Sequence, residues 1–188
     1  DKGPGTLRLA FHGNRVTAEL WPVNGRRGHA KALIDGRPPS QWQQAYAVTR
    51  TNGNPLNTSR PLCNRLIPGP TPIAEDWTIQ VRDISEDGKT YYFTAVGSVT
   101  GHNGEGTQQT KVFTSKSGRI SFEPREFTFA AMVGQMKKPF PKQVDVTCSM
   151  VLLGTDSFTC PEKIEAGEAP MVTLVQGIPN GEHVLEIQ

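Results

Sequence analysis

The sequence has little of what marks membrane or nucleic-acid-binding proteins. No apolar run in its 188 residues approaches the roughly 18 residues that a membrane-spanning helix needs. The formal net charge is only +2, and basic and acidic residues are interspersed. Phosphate binding usually requires a stripe or tail of basic residues, and only short clusters such as Lys137-Lys138 occur here. We therefore expect neither membrane insertion nor a nucleic-acid partner.

Complete catalytic motifs are also lacking. Residues 88–90 (GKT) resemble the end of a phosphate-binding loop, but Asp83 stands where that motif requires glycine, and a carboxylate there repels phosphate. Residues 154–157 (GTDS) do not form the Gly-x-Ser-x-Gly pattern of a nucleophile elbow. We assign no catalytic residue from the sequence, although a fold can bring a serine, a histidine and a carboxylate together in space.

Metal ligands and cysteines are few. The histidines His12, His29, His102 and His183 are scattered, whereas zinc and copper sites usually contain a local pair. A structural calcium ion remains an alternative, because calcium binds carboxylate oxygens in loops. The candidate carboxylates are Glu75, Asp76, Asp83, Glu86 and Asp87. Cys148 and Cys160 flank a predicted turn, so a disulfide is expected if their strands pair, and Cys63 then stays free.

Alternation of apolar and polar residues is the strongest pattern that is present. Side chains two residues apart share one face of a strand, so each such segment can bury one face and expose the other. The clearest segments are residues 7–11, 16–20, 30–34, 77–81, 144–153, 172–175 and 184–187. The chain also contains 19 glycines and 15 prolines, which indicates many turns. We predict an all-β fold of the sandwich or barrel class.

Turn signals separate these segments. The pairs with residues that tolerate positive φ include His12-Gly13, Asn24-Gly25, Asp35-Gly36, Asp87-Gly88, Asn103-Gly104 and Ser117-Gly118. Pro179-Asn180-Gly181 lies between two apolar segments and predicts a hairpin. Ser40 is a candidate N-cap for a short helix through Ala45, and we expect no long helix.

The distribution of proline predicts how the chain is organised. Residues 54–72 contain five prolines and few periodic apolar positions, which is typical of an extended connector. Residues 1–50 and 140–188 are predicted to form a discontinuous β-sandwich. Residues 73–130 are predicted to form an inserted β-rich subdomain.

Four aromatic residues are candidates for contact with carbohydrate, namely Trp21, Trp42, Tyr46 and Tyr91. Flat rings near turns can stack on the apolar face of a sugar, and the alternative for each ring is a place in the core. Tyr91 and Tyr92 are adjacent, so their rings point to opposite faces of a strand.

Five segments together resemble a known family. They are residues 32–42 (ALIDGRPPSQW), 75–85 (EDWTIQVRDIS), 97–106 (GSVTGHNGEG), 113–124 (FTSKSGRISFEP) and 172–187 (VTLVQGIPNGEHVLEI). In this order they resemble an accessory β-sandwich region of secreted bacterial SGNH/GDSL-type hydrolase proteins. The resemblance implies a jelly roll of the galactose-binding-like type, a linked esterase-like catalytic domain and a secreted or periplasmic location. The esterase motifs themselves are absent from this chain.

Three functions remain open from the sequence. The first is a non-catalytic module that binds polysaccharide or another glycan and targets the linked enzyme to it. The second is a structural module that packs against that enzyme. The third is a carbohydrate esterase in its own right, which requires a serine and a histidine within hydrogen-bond reach. The absence of catalytic motifs favours the first.

Overall fold

The protein is mostly β-structure. The computed structural model describes residues 5–22, 27–53, 55–164 and 169–188, and the turn expected at Asn24-Gly25 lies outside them. Strands account for 49% and helices for 10% of the chain, and three antiparallel sheets are found in the described residues. The prediction of an all-β, sandwich-like fold is confirmed, whereas the jelly-roll order of strands stays a prediction.

Twelve strands and a few short helices make up the described residues. The strands are β1 (Leu7–Glu19), β2 (Gly28–Ile34), β3 (Tyr46–Val48), β4 (Leu66–Pro68), β5 (Glu75–Arg82), β6 (Tyr92–Gly97), β7 (Gly101–Thr107), β8 (Phe113–Thr114), β9 (Ile120–Phe122), β10 (Val144–Leu152), β11 (Ser157–Cys160) and β12 (Met171–Ile187). The helices are α1 (Phe129–Met136) and 3-10 turns at Pro39–Gln41, Gln43–Ala45 and Pro124–Glu126. None of these helices is long and apolar enough to cross a membrane.

The chain divides into two compact units. The terminal unit consists of Asp1–Tyr46 and Leu152–Gln188, and the central unit consists of Ala47–Val151. The sheet of the terminal unit has the strand order β1-β12-β2-β11. The central unit is built on the sheets β3-β10-β5-β6-β7 and β4-β9-β8. The boundaries that the proline distribution predicts, with the connector at 54–72 and the insertion at 73–130, stay a prediction.

The two crossings between the units are neighbours in the terminal unit. The chain leaves this unit after Tyr46 and returns at Leu152. The backbone N–H of Leu153 donates a hydrogen bond of 2.6 Å to the carbonyl oxygen of Ala45. The residues on either side of the central unit are therefore tied together by the terminal unit itself.

The core of the terminal unit lies on one face of its sheet. Ala32 and Ile34 of β2 are fully buried, and Leu185 of β12 is paired with Ile34 in the ladder. Trp42 and Ala45, from the segment with two 3-10 turns, pack in the same cluster. The segment with the 3-10 turns covers this face of the sheet. Removal of the apolar surface between them from water contributes about 25 cal/mol per Å² to the free energy of folding.

Two predicted turns are in fact the irregular middle of two long strands. We expected turns at residues 12–14 and a hairpin at 179–181, but β1 and β12 run through both segments. In the ladder Gly13 pairs with Gly181 and Arg15 pairs with Gln176, so residues 177–180 bulge opposite Asn14. Residues that tolerate unusual φ serve a bulge as well as a turn, which is why this hairpin prediction is wrong.

The central unit is a two-layer sandwich. Trp77, Ile79 and Val81 alternate along β5 and are fully buried, as the sequence pattern predicts. The second layer packs onto this side through phenylalanines, because the ring centroid of Phe93 on β6 lies 5.1 Å from that of Phe113 and 5.2 Å from that of Phe122. These distances are in the range that favours edge-to-face and tilted ring pairs.

Aromatic packing continues around α1. The connected rings are those of Tyr91, Phe93, Phe113, Phe122, Phe127, Phe129 and Phe140, with neighbouring centroids 4.7–6.4 Å apart. Phe129 and Met132 bury one side of α1. This helix was not predicted from the sequence, although Ala130, Ala131 and Met132 favour helical structure.

Three smaller expectations need correction. Asn103 and Gly104 lie within β7 and not in a turn, and the buried Asn103 accepts a hydrogen bond from the backbone N–H of Ser117. Ser40 lies inside a 3-10 turn that starts after Pro38, so it is not an N-cap. Cys148 and Cys160 are free thiols because β10 pairs with β5 whereas β11 pairs with β2.

Gly88 allows a close approach to α1, and this can be tested by a matched pair of substitutions. Gly88 and Gly101 both have left-handed φ, of 71° and 68°. A Cβ at Gly88 would lie 2.7 Å from backbone atoms of Phe129 and Ala130, whereas one at Gly101 meets nothing within 4 Å. We expect Gly101→Ala to lower the free energy of unfolding by about 1 kcal/mol and Gly88→Ala by about 1–3 kcal/mol more. Urea denaturation measures both, and equal losses would contradict the predicted backbone clash.

Candidate functional site

The four predicted aromatic residues have different surroundings. Trp21 is 57% exposed, whereas Trp42, Tyr46 and Tyr91 are buried. Trp21, Trp42 and Tyr46 belong to the terminal unit and Tyr91 to the central unit. Stacking on a sugar requires a free ring face, and of these four residues Trp21 has an exposed ring. The role of the four residues in binding stays a prediction.

Trp42 is enclosed by charged and aromatic neighbours of the terminal unit. The guanidinium carbon of Arg37 lies 4.1 Å from the centroid of the Trp42 ring, so a cation covers one face. The His183 ring meets Trp42 edge-on, with centroids 5.8 Å apart. Trp42 is therefore a core residue whose ring also forms a cation–π contact with Arg37.

Tyr46 and Tyr91 each use the phenol group for an internal hydrogen bond. The Tyr46 hydroxyl donates to the carbonyl oxygen of Ser40 at 3.1 Å, and burial together with the charge of Asp156 raises the pKa of this phenol. The Tyr91 hydroxyl donates to the carbonyl oxygen of Pro124 at 2.7 Å, and burial raises the pKa of this phenol as well. Both hydroxyls satisfy backbone groups.

Tyr92, the neighbour of Tyr91, has the exposed ring of the central unit. Its side chain is 61% exposed, and among the described Phe, Tyr and Trp residues only Trp21 is comparably open. Tyr92 begins β6 and points away from the phenylalanine core, because Phe93 occupies the opposite face. The sequence shows that the rings of Tyr91 and Tyr92 point to opposite faces of the strand, but it does not show which face is buried.

The outer face of the five-stranded sheet is polar, and we call it the polar face. Its polar residues and its exposed ring are Asp145, Thr147 and Ser149 on β10, Asp76, Thr78, Gln80 and Arg82 on β5, and Tyr92 and Thr94 on β6, and Val96 of β6 lies on the same side beside Thr78. Cross-strand register places these side chains in rows, since Asp145 pairs with Gln80 and Gln80 with Thr94. Hydroxyl, amide and carboxylate groups thus repeat at the spacing of the strands.

Tyr92 lies in a row between Arg82 and Thr107, which are its direct cross-strand partners. Arg82 is fixed in position, because its Nη2 lies 2.7 Å from Asp145 Oδ1 and its Nη1 donates to the carbonyl oxygen of Val81 at 2.8 Å. A flat ring, a fixed guanidinium and a hydroxyl are therefore presented side by side to solvent.

A concave site lies at each end of the polar face. The larger has a volume of about 480 Å³ and is lined by Thr49, Arg50, Asn52, Asp76, Trp77, Thr78, Thr147, Cys148 and Ser149. The smaller, of about 280 Å³, is lined by Asp83, Thr90, Tyr91, Tyr92, Thr107, Gln108 and Gln109. In the larger site Ser149 Oγ donates to Asp76 Oδ1 at 2.6 Å. Both sites are rich in hydrogen-bonding groups and close to the size range of small-ligand pockets.

Asp35 and His183 form a hydrogen-bonded pair in the terminal unit. His183 Nδ1 donates to Asp35 Oδ2 at 2.7 Å, and Nε2 donates to the carbonyl oxygen of Pro179 at 2.8 Å. Because both partners are acceptors, the ring is fully satisfied as an imidazolium. The hydrogen bond to Asp35, followed by that to Pro179, raises the pKa of His183, and the bond from His183 lowers the pKa of Asp35.

This pair has the composition of a catalytic dyad but a different geometry. A general base needs a free nitrogen that points at the proton to be removed. In the described part of the chain, Nε2 of His183 is occupied by the Pro179 carbonyl and the side chain is 8% exposed. The pair stabilises the 35–37 turn and the 177–180 bulge.

Buried carboxylates and thiols are likewise satisfied or neutral. Glu75 of the central unit accepts hydrogen bonds from the backbone N–H groups of Val99 and Thr100, both at 3.1 Å. Burial raises the pKa of the Cys63 thiol to about 11 and that of Cys148 to about 12. Within the described ranges no group of three or more His, Cys, Asp or Glu residues is placed to hold a metal ion. Structural calcium stays a prediction.

The Asp35–His183 pair predicts a defined pH dependence of stability. The contribution of His183 is complete below its unfolded pKa of about 6.5 and is lost as the pH rises through the higher folded pKa. That of Asp35 is complete above about 3.9 and is lost as the pH falls through the lower folded pKa. The stabilisation is therefore greatest between about pH 4 and 6.5.

Urea denaturation at pH 5.5 and pH 9 tests this dependence. We expect the loss of unfolding free energy caused by Asp35→Asn to be larger at about pH 5.5 than at about pH 9. His12→Asn changes an exposed histidine of β1 and is the matched control, for which the loss is small at both pH values. An equal loss from Asp35→Asn at both pH values would contradict the stabilisation of protonated His183 by Asp35.

Comparison of the chain with protein-family models, with curated proteins and with solved structures found no match. The likeness of five of its segments to an accessory region of SGNH/GDSL-type hydrolase proteins therefore stays a resemblance. The features on which a functional proposal can rest are the exposed rings, the polar face and its two concave sites.

Proposed function

We propose that the protein is a non-catalytic carbohydrate-binding module that binds glycans on the polar face of its central unit. The observation that carries this proposal is the exposed ring of Tyr92 between Arg82 and Thr107, on a sheet face of hydroxyl, amide and carboxylate groups. Sugars offer an apolar ring face for stacking and many hydroxyls for hydrogen bonds, and this combination matches both demands.

The rigidity of the surface supports this choice. Tyr92, Arg82 and Asp145 are all carried by strands of a packed sheet, and the Arg82–Asp145 ion pair fixes the guanidinium before a ligand arrives. Binding then loses little side-chain entropy. This matters for a glycan, because each of its contacts is weak and a large entropy loss would cancel them. The sequence-based candidates Trp42, Tyr46 and Tyr91 have less to offer a ligand because their rings are buried.

The role that we propose for binding is targeting. If the chain is linked to an esterase-like or other glycan-active domain, as the resemblance implies, attachment to a polysaccharide raises the local concentration of substrate around that domain. Linkage of this kind raises overall avidity without any new contact at the catalytic centre. The ligand of the module is then a glycan that the linked enzyme also modifies.

Isothermal titration with a panel of plant and bacterial oligosaccharides tests the proposal. We expect Tyr92→Ala to weaken the affinity for the glycan that binds best by about two- to twelvefold, since ring stacking contributes about 0.5–1.5 kcal/mol. Tyr92→Phe retains the ring and is expected to bind nearly as well as the unchanged chain.

Trp21→Ala is the matched control, because it removes the exposed ring of the terminal unit. We expect it to leave the affinity unchanged. Loss of binding in Trp21→Ala but not in Tyr92→Ala would move the site to the terminal unit, where the sequence analysis named Trp21. A folded chain that binds no member of the panel would overturn the carbohydrate-binding proposal.

A second candidate function is packing against the linked catalytic domain. Leu7 and Leu9 of the edge strand β1 are 59% and 52% exposed, although their cross-strand partners Ile187 and Leu185 belong to the core cluster or pack against it. Exposed apolar rows of this kind are typical of interfaces.

Light scattering of the isolated chain tests this packing role. If the row of Leu7 and Leu9 is an interface, it is uncovered in the isolated chain and can pair with a second copy, so we expect the mean mass to rise with concentration and Leu9→Lys to suppress the rise. Val99→Lys is the control, because Val99 is 68% exposed in a turn of the central unit. A monomer at all concentrations, with no effect of Leu9→Lys, would count against packing and leave the binding proposal unaffected.

A further inference from the structure

One long part of the sequence has positive charge only. Between Asp35 and Glu75 there is no aspartate, glutamate or lysine, and the segment contains the arginines Arg37, Arg50, Arg60 and Arg65. Three of these arginines fall in the part that belongs to the central unit, from Ala47 onward. In a chain with a net charge of only +2, this separation of charge is a feature in its own right.

Two of these arginines line the same cavity. It has a volume of about 260 Å³, and its polar lining comes from Thr49, Arg50, Thr51, Asn64 and Arg65. Apolar lining includes Val48, Pro61 and Leu66, and the Cys63 thiol is neutral because burial raises its pKa to about 11. The described lining contains no carboxylate. We call this cavity the arginine cavity.

The guanidinium groups have unused capacity for an anion. Arg50 Nη2 donates to the carbonyl oxygen of Ser59 at 2.9 Å, which orients the group and leaves other N–H donors. Among the described residues neither Arg50 nor Arg65 forms an ion pair within 4.0 Å. Planar guanidinium groups match carboxylates with two parallel hydrogen bonds, so an anionic group suits this site.

Carboxylates lie beyond the arginine cavity on both sides. Glu123 and Glu126 line an adjacent cavity that shares Arg65, and Asp76 lines the larger concave site that shares Arg50. Glu123 is paired with Arg125, and Asp76 accepts a hydrogen bond from Ser149. These groups keep the net charge of the surface low, while the arginine cavity between them remains positive.

The arginine cavity adjoins the polar face. Thr49 and Arg50 line both this cavity and the larger concave site of the polar face. A volume of about 260 Å³ is below the range of pockets that enclose drug-sized ligands, so it suits one charged group or one ring of a longer ligand. An oligosaccharide on the polar face can therefore place one of its sugar units beside Arg50 and Arg65.

From these observations we infer that the glycan is a polyuronate, with one uronate carboxylate bound between Arg50 and Arg65. The inference rests on the proposed glycan binding and adds the charge of the ligand. Other units of the oligomer lie on the polar face by stacking and hydrogen bonding, and the carboxylate of one unit lies in the arginine cavity. The affinity for an acidic oligomer then falls with ionic strength, because part of it is electrostatic.

The test compares oligogalacturonate and oligomannuronate, each with its fully methyl-esterified form, by isothermal titration of the full chain. At low ionic strength we expect one acidic oligomer to bind at least about tenfold more tightly than its ester, as for a charged hydrogen-bonded pair. Arg65→Gln is expected to reduce the affinity for the acidic oligomer to that for the ester. Arg65→Lys is expected to retain part of the preference, because lysine keeps the positive charge but lacks the two parallel N–H donors of the guanidinium group.

Arg15→Gln is the matched control, since it removes the same charge from an exposed position on β1 of the terminal unit. We expect this variant to keep the full preference. Circular dichroism and thermal unfolding show whether Arg65→Gln is folded, and Arg50→Gln provides a second variant of the same cavity with the same expected loss.

The possible results separate this inference from the proposal on which it rests. If neutral oligomers bind in a Tyr92-dependent way and acidic oligomers gain nothing, the polyuronate inference is wrong and glycan binding stands. Preference for a sulfated glucan over every uronate oligomer would also overturn it. A preference for acid that survives Arg65→Gln and Arg50→Gln would overturn the assignment to the arginine cavity. A folded chain that binds no glycan would overturn both.

Discussion

The burial of Trp77, Ile79 and Val81 determines most of what the central unit presents to its surroundings. These three side chains are fully buried on one face of β5, so the intervening residues must point to water. The neighbouring strands follow, because antiparallel pairing places outward residues of β10 and β6 beside those of β5. The polar face is thus a geometric consequence of the core, and the strands that carry its groups are held by the phenylalanine packing beneath them.

The alternation of residues made the fold class accessible from the sequence, and local turn chemistry limited the rest. The pattern in residues 77–81 predicted β5 and its buried face correctly. Gly13 and the 179–181 segment were misread, because glycine, asparagine and proline favour a bulge and a turn on the same grounds. Only the pairing of β1 with β12, which involves residues far apart in the sequence, distinguishes the two.

The site was less accessible than the fold. Aromatic residues near turns were reasonable candidates, yet Trp42 is covered by Arg37, and Tyr91 is buried while its neighbour Tyr92 is exposed. Which of two adjacent rings faces water depends on the layer that packs against the strand, and single-sequence patterns carry no information about that layer. The arginine cavity is indicated in the sequence by residues 36–74, which contain arginines but no acidic residue. The sequence does not show that Arg50 and Arg65 line one cavity.

The hydrogen bond from Leu153 to Ala45 has a consequence for how such a protein can diversify. Because the terminal unit ties together the two points at which the central unit enters and leaves, removal of residues 47–151 would leave ends that a very short link can close. A segment bounded in this way behaves as an exchangeable cassette. Its ligand preference can change by substitution or replacement while the framework that carries it keeps its own core.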